Sequence, residues 1–200
     1  MILFINNKDS FVWNLVDYVS IFEKETEVVP NSIEIDEVIE IHPSGIVISP
    51  GPGSPNNPHD IGNSVEIVHL CSRLRIPLLG VCLGAQTIAV AFGGIVSHSP
   101  EGPMHGKCSL VYHDGKTIFR GIKNPLEAGR YHSLAIIKVP ENFEVSAYSN
   151  SMVMGIRARE FPIEGVQFHP ESVLTPEGPK IVENFVRMCK YEAGRDHKCN

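Results

Sequence analysis

Pro77-Leu78-Leu79-Gly80-Val81-Cys82-Leu83-Gly84-Ala85-Gln86 runs apolar into a cysteine and then breaks on glycine. The pattern predicts a buried strand that ends at Cys82 and a helix that begins just after it. The helix reading rests on Thr87, Ile88, Ala89, Val90, Ala91 and Phe92, a compact apolar run closing on Gly93-Gly94. Cys82 then sits on the turn between strand and helix. Such a corner lifts a nucleophile clear of the sheet and aims the first backbone N–H groups of the helix at it. The positive end of the helix favours a thiolate there. Gly80 and Gly84 are expected to supply both room and torsional freedom for the corner. The plain alternative is a core cysteine following a strand, since free cysteine is among the most buried residue types.

Upstream of this corner, Met1 to Ile5 and Gly45 to Ser49 are apolar throughout, the pattern of strands buried on both faces. Glu27 to Pro30 reads as a further short strand. Phe11, Leu15, Tyr18, Val19 and Phe22 recur at helical spacing, which predicts a helix over 10–22, capped by Asp9 or Ser10. A short helix is expected over 36–41, and another that carries Ile61, Val65, Val68 and Leu74 on one side. Strands alternating with helices imply crossovers and a parallel sheet. The loop Pro50-Gly51-Pro52-Gly53-Ser54-Pro55-Asn56-Asn57-Pro58 follows one strand, and its bare backbone suits an anion-binding nest, though an irregular connection would read the same way. Ligands gather beyond the carboxyl ends of parallel strands, where both this loop and Cys82 fall.

After Gly94 the texture changes. Short β-rich segments recur at 94–97, 107–112, 126–131, 135–139, 144–147, 152–159 and 164–169, and a helix over 176–191 closes the chain. The fold class is therefore α/β: an open, mixed, largely parallel central sheet flanked by helices, with an additional β-rich second half. One domain is expected over 1–200, with a polar tail at 192–200 that frays.

Seventeen Lys plus Arg stand against 23 Asp plus Glu, a formal charge of −6, which favours neither nucleic acid nor an anionic membrane surface. Five cysteines without a C-x-x-C pair, and an opening without a basic, cleavable leader, point to a reducing cytoplasm. No apolar run approaches the ~20 residues of a membrane span. His105 and Cys108 have ligand-like spacing, but no second pair completes a metal site.

A thiolate that attacks a carbonyl needs a base, and of nine histidines His169 stands out. Gly165-Val166-Gln167-Phe168-His169-Pro170-Glu171 reads as a strand ending on it. Pro170 holds His169 extended, and residues two apart in an extended segment share a side, which sets Glu171 beside it. A carboxylate there would fix the imidazole tautomer and stabilise the imidazolium.

With these residues in view, the chain resembles the class I (triad) glutamine amidotransferases, most closely the small glutaminase subunits of anthranilate and aminodeoxychorismate synthases. The resemblance spans nearly the whole chain. It rests on Asp9-Ser10-Phe11 with Asn14-Leu15, Ser49-Pro50-Gly51-Pro52-Gly53, Gly80-Val81-Cys82-Leu83-Gly84 with Gln86, Met104-His105-Gly106-Lys107, Tyr131-His132-Ser133-Leu134, and Gly165 to Ser172. It implies a flavodoxin-like fold, Cys82 as nucleophile, His169 as base and then acid, and Glu171 as its orienting partner. It further implies an oxyanion hole from the N–H groups of Gly53 and Leu83. Gly51, Pro52, Gly53, Gln86, Ser133 and Leu134 would hold L-glutamine.

No cofactor or metal is implied in this chain. The resemblance implies a separate large subunit that binds chorismate, holds Mg²⁺ and receives the ammonia, in a heterodimer or heterotetramer. Lys8 to Trp13 and Met104 to Lys107 are candidate parts of that interface. Ala85 departs from the family, which usually has histidine there, and blurs the choice between anthranilate and aminodeoxychorismate synthesis. The competing readings are a cysteine peptidase or γ-glutamyl hydrolase acting alone, and a non-catalytic subunit of the same shape.

Overall fold

The continuous apolar run at the start becomes β1 (Ile2–Asn6), the reference strand of the sheet in the computed structural model, which describes residues 1–196. β1 pairs in parallel with β2 (Thr26–Pro30) and β3 (Gly45–Ile48). β3 pairs in parallel with β4 (Leu78–Val81), and β4 with β11 (Ile163–Val166), the last strand among the described residues. Beyond β11 the sheet turns antiparallel through β10 (Met152–Ala158), β9 (Phe143–Ser149), β6 (Lys107–His113) and β7 (Leu126–Arg130). β5 (Ile95–His98) and β8 (Leu134–Lys138) form a separate antiparallel pair.

Alternation explains why β1, β3 and β4, covered on both faces, are almost wholly apolar. Ile2 and Phe4 join one core with Val47, Leu79, Val81 and Val166. Leu3 and Ile5 join the other with Ile46, Ile48 and Leu78. The first core is closed by α1 (Val12–Ser20) and the terminal helix α6 (Gly178–Asp196), through Leu15, Val19, Ile181 and Phe185. The second is closed by α2 (Ile35–Ile41), α4 (Ser64–Leu74) and α5 (Leu83–Ala91), through Val38, Ile67, Leu70, Cys71 and Ile88.

Several sequence expectations are corrected. The helix expected from Ile61 to Leu74 is two: α3 (Pro58–Ile61) ends at Gly62, whose φ of +53° and tight fit against Asn31 admit no side chain. Within α4 the buried face is Ser64, Ile67, Val68, Leu70 and Cys71, and Leu74 lies outside the core. α6 begins at Gly178 rather than Pro176 and runs through Gly194 to Asp196 where a polar tail is expected. Gly194 lies outside the positive-φ glycines that stop helices, and residues 197–200 of the expected tail lie outside the described residues. α1 is shorter than 10–22, because Asp9 accepts the Phe11 N–H in a local turn. Phe11 thereby leaves the core stripe and stands partly exposed. No described helix is long and apolar enough to cross a membrane.

Candidate active site

Val81 of β4 and Val166 of β11 are register partners in neighbouring parallel strands, so the two chain exits emerge side by side at one edge of the sheet. Cys82 follows the first exit, and its N–H donates to Val166 O at 2.8 Å. It stands at the N-terminus of α5 with φ 52° and ψ −102°, a strained conformation for a residue with a side chain. The strain at the corner is thus carried by the cysteine itself. Gly80 and Gly84 have no positive φ, and their role is close approach. A Cβ on Gly84 would fall 2.3 Å from Ile48 O, and one on Gly80 would fall 2.6 Å from the Gly84 backbone. Their bareness lets α5 press onto β3 and β4, which fixes where Cys82 points.

β11 ends at Val166, three residues short of the expected strand end at His169. Glu171 reaches His169 through a turn rather than by extended alternation: Ser172 N–H donates to His169 O at 3.2 Å. Thr175 clamps this turn, since its hydroxyl donates to His169 O at 2.7 Å and accepts the Gly129 N–H at 3.0 Å. His169 Nδ1 lies 2.6 Å from Glu171 Oε1, and both side chains are buried. Burial pulls the His169 imidazolium down, but the neighbouring Cys82 side chain and the Glu171 carboxylate outweigh it and raise the pKa above the ordinary value. Nε2, on the side away from Glu171, is buried and has no hydrogen-bond partner among the described residues. Tyr131 and Phe11 set their rings edge-on to the imidazole, with centroids 5.0 and 6.0 Å away.

The other named residues fall around this pair. Gln86 is buried, and its Nε2 donates to Leu134 O and to Gln167 Oε1, each at 3.0 Å. Gln167 Nε2 lies 3.6 Å from Cys82 Sγ. Gly51 packs on Leu83, the first residue of α5: a Cβ there would fall 2.8 Å from Leu83 Cδ2. Gly53 has φ +94° and lies against Asp60, whose carboxylate accepts the Ser54 N–H at 2.9 Å. Pro52 and Gly53 are exposed. Ser133 O accepts the Ser99 N–H at 2.9 Å.

Sequence reasoning missed the polar frame that holds the glycine loop. Asn7 bonds Ser49 through its N–H and its side chain, and Asn31 donates to Asn7 Oδ1 at 3.1 Å and to Asp60 O at 2.9 Å. Gln167 was legible in principle, as a polar residue between Val166 and Phe168 in an apolar run. Cys71 and Cys189 are buried, and burial pushes their thiols up, away from reactivity. Among the described residues no group of three or more His, Cys, Asp or Glu is placed to hold a metal ion.

A thiol on a strained corner, an imidazole raised by that side chain, and a carboxylate fixing the far ring nitrogen make an arrangement able to attack an acyl group and protonate its leaving group. The chain is similar to several known proteins. Anthranilate synthase component 2 of Thermococcus kodakarensis is 55% identical over 196 residues, covering 95% of this chain and 99% of that protein. Aminodeoxychorismate/anthranilate synthase component 2 of Bacillus subtilis is 48% identical, covering 96% of this chain and 98% of that protein. The solved structure of a Thermoplasma acidophilum protein, provisionally assigned to GMP synthase, has a TM-score of 0.85 at 26% identity. It covers 100% of this chain and 97% of that one. The family profile for glutamine amidotransferase class-I matches residues 3–189, and the chain belongs to that family.

Proposed function

We propose that this chain is one glutamine amidotransferase domain that hydrolyses L-glutamine through Cys82, His169 and Glu171 and hands the ammonia to a chorismate-binding synthase subunit, which makes anthranilate for tryptophan. The observation that carries the reading is the buried Cys82–His169–Glu171 constellation, with its 2.6 Å carboxylate–imidazole contact. His169 Nε2 takes the thiol proton, and Cys82 Sγ attacks the side-chain amide carbon of glutamine. The oxyanion is met by the N–H groups of Leu83 and Gly53. His169 returns the proton to the departing nitrogen, ammonia leaves, and a γ-glutamyl thioester remains. Water, deprotonated by His169, then releases glutamate and restores the thiol. Glu171 holds Nδ1 throughout, fixing the tautomer and stabilising each imidazolium.

Gln86, the backbone of Ser133 and Leu134, and the loop Gly51-Pro52-Gly53 are the proposed glutamine cradle. Ammonia released into neutral water becomes ammonium and loses its nucleophilicity, so delivery requires a docked partner. That partner is the large subunit, in a heterodimer or heterotetramer in the cytoplasm, and any Mg²⁺ belongs to its chorismate site. Phe11 and Trp13 stand exposed beside the His169 ring and on α1, as a docking rim would. The name of the Bacillus subtilis relative supports a second reading, in which one subunit serves both anthranilate and aminodeoxychorismate synthesis.

The test is ammonia release from glutamine by the wild type and by Cys82→Ala, with and without the chorismate-binding subunit of the same cell. Expected is Cys82-dependent release that rises with the partner, and anthranilate when chorismate is added. Release of ammonia by neither protein under any condition overturns the reading in favour of a non-catalytic subunit. Partner-independent cleavage of γ-glutamyl peptides replaces it with a hydrolase.

A further inference from the structure

Arg130 ends β7 with its side chain wholly inside the protein, far from ordinary for a guanidinium. Burial of such a charge costs several kcal/mol unless its donors are met, and here they are met by a directed set of partners. Nη1 donates to Glu101 Oε2 at 3.0 Å and to Ser109 Oγ at 3.1 Å, and Nη2 lies 3.1 Å from Met152 Sδ. Nε donates to His132 Nε2 at 3.1 Å. Glu101 is steadied in turn by Asn150 Nδ2 on its other oxygen, at 3.0 Å.

The Nε contact settles the state of His132. A guanidinium only donates, so His132 Nε2 must be the accepting, unprotonated nitrogen, and Nδ1 carries the hydrogen. That hydrogen is given to Leu134 O at 2.8 Å. Leu134 O also receives Gln86 Nε2, Gln86 bonds Gln167, and Gln167 reaches the Cys82 sulfur. One chain of hydrogen bonds therefore runs from the Glu101–Arg130 ion pair through His132 and Leu134 to Gln86, Gln167 and the nucleophile. The backbone runs alongside it: Ser99, Met104 and Gly106 N–H groups donate to the carbonyls of Ser133, His132 and Arg130. The segment 99–106 is thus stitched onto the segment proposed to hold glutamine.

We propose that Arg130, fixed by Glu101, is a positioning residue for substrate: by locking the His132 tautomer it sets the Leu134 carbonyl and the Gln86 amide that shape the glutamine cradle. It touches neither the substrate nor the reacting atoms. The inference rests on the glutaminase reading above and adds to it a determinant of glutamine affinity outside the triad. Lysine at 130 keeps the charge but has no Nε–H directed at His132 while also holding Glu101 and Ser109.

The experiment measures kcat and KM for glutamine in the complex with the chorismate-binding subunit, for wild type, Arg130→Lys and Glu101→Gln. The rate of Cys82 alkylation by iodoacetamide, which needs no glutamine cradle, is followed in parallel. Expected for Arg130→Lys is a KM about tenfold higher with kcat within about threefold, the scale of one lost charge-assisted hydrogen bond. Glu101→Gln should raise KM in the same direction by about threefold. Alkylation should be unchanged in both. An unchanged KM in a variant with a normal thermal transition overturns the proposal, as does a fall in kcat with altered alkylation, which would mean general loosening. Should Arg130→Lys fail to fold, Glu101→Gln decides by the same criteria. A wild type that is alkylated at Cys82 but releases no ammonia from glutamine overturns the function itself, an outcome distinct from a flat KM.

Discussion

The two halves of the chain bury different things. Up to residue 100, every buried polar side chain in the described structure is neutral: Asn7, Asn31, Ser49, Ser64, Gln86, Thr87 and Ser99. Beyond residue 100, the interior holds His113, Arg130, His132, Arg157, Glu164, His169 and Glu171. The parallel half coheres by apolar side chains on both faces of its central strands and contributes Cys82, the proposed nucleophile, on a strained corner. The β-rich half places ionisable groups by hydrogen bonding and contributes the imidazole and carboxylate. They meet because β11, the last described strand, is inserted beside β4, parallel to it and antiparallel to β10. Position and protonation are thereby supplied by separate halves, and each can be broken without the other.

The largest expected effect is on activity. His169→Ala or Glu171→Gln should lower kcat for glutamine hydrolysis by about 10²- to 10⁴-fold, measured as ammonia release in the complex. Cys82→Ala should abolish it. Cys82→Ala leaves the buried His169–Glu171 contact in place, so its urea midpoint should stay closest to that of the wild type, whereas His169→Ala and Glu171→Gln each break that contact and should lower it. A Cys82→Ala protein that loses activity only by unfolding would erase the division between the halves.

Next in size is the ion pair at the base of the β-rich half. Arg157 Nε lies 3.2 Å from the carboxylate of the fully buried Glu164, and the same guanidinium also holds Asp114 and Glu144. Arg157→Met strands Glu164 and should cost about 3–5 kcal/mol at pH 8, read by urea unfolding. Burial raises the Glu164 pKa to about 7, with Arg157 opposing it. At pH 5 Glu164 is therefore protonated in both the wild type and the variant, no charge is stranded, and the loss should be smaller. An equal loss at both pH values would mean that Glu164 does not carry the penalty.

His132 gives the third test, with a definite sign. Burial lowers its pKa to about 4, and the nearby Arg130 and His169 add to that, against the Leu134 and Glu101 contacts. Between about pH 6.5 and pH 4 the unfolded chain binds a proton that the folded chain refuses. This group therefore contributes stability above pH 6.5 that is lost as pH falls towards 4, about 3 kcal/mol in all. His169 acts in the opposite direction: its folded pKa is raised, so its contribution is full below about pH 6.5 and fades as pH rises through the folded value. His132→Asn should flatten the stability loss between pH 6.5 and pH 4, and an unchanged slope would show that His132 is not held neutral.

These tests also mark what the sequence could and could not disclose. The apolar runs at Ile2 to Ile5 and Leu78 to Val81 announce strands buried on both faces, because a two-sided core needs no polar alternation. Cys82 and the glycine loop were readable because turn and corner residues are chemically distinctive. Glu171 was paired with His169 for the wrong local reason, since a Thr175-clamped turn does what an extended strand was expected to do. The Glu101–Arg130–His132 chain was not readable. Its members are far apart in sequence, and an arginine in a short β-rich segment looks like a solvated one until its burial is known.

The smallest effect sharpens the parallel half. Ile67 and Leu74 are both apolar residues of α4, and the sequence alone puts Leu74 on the same stripe as Val68. In the structure Arg75 takes a left-handed conformation, φ 55°, and ends the helix there, so Leu74 stands 54% exposed while Ile67 is fully enclosed. Enclosure, not apolarity, is what the half depends on. Ile67→Ala should cost about 2–5 kcal/mol, because it leaves a cavity under α4. Leu74→Gln should change the urea midpoint by no more than about 0.5 kcal/mol in stability. A loss from Leu74→Gln approaching that of Ile67→Ala would mean that the end of α4 is covered in solution, and that the neutral half has a docking face of its own.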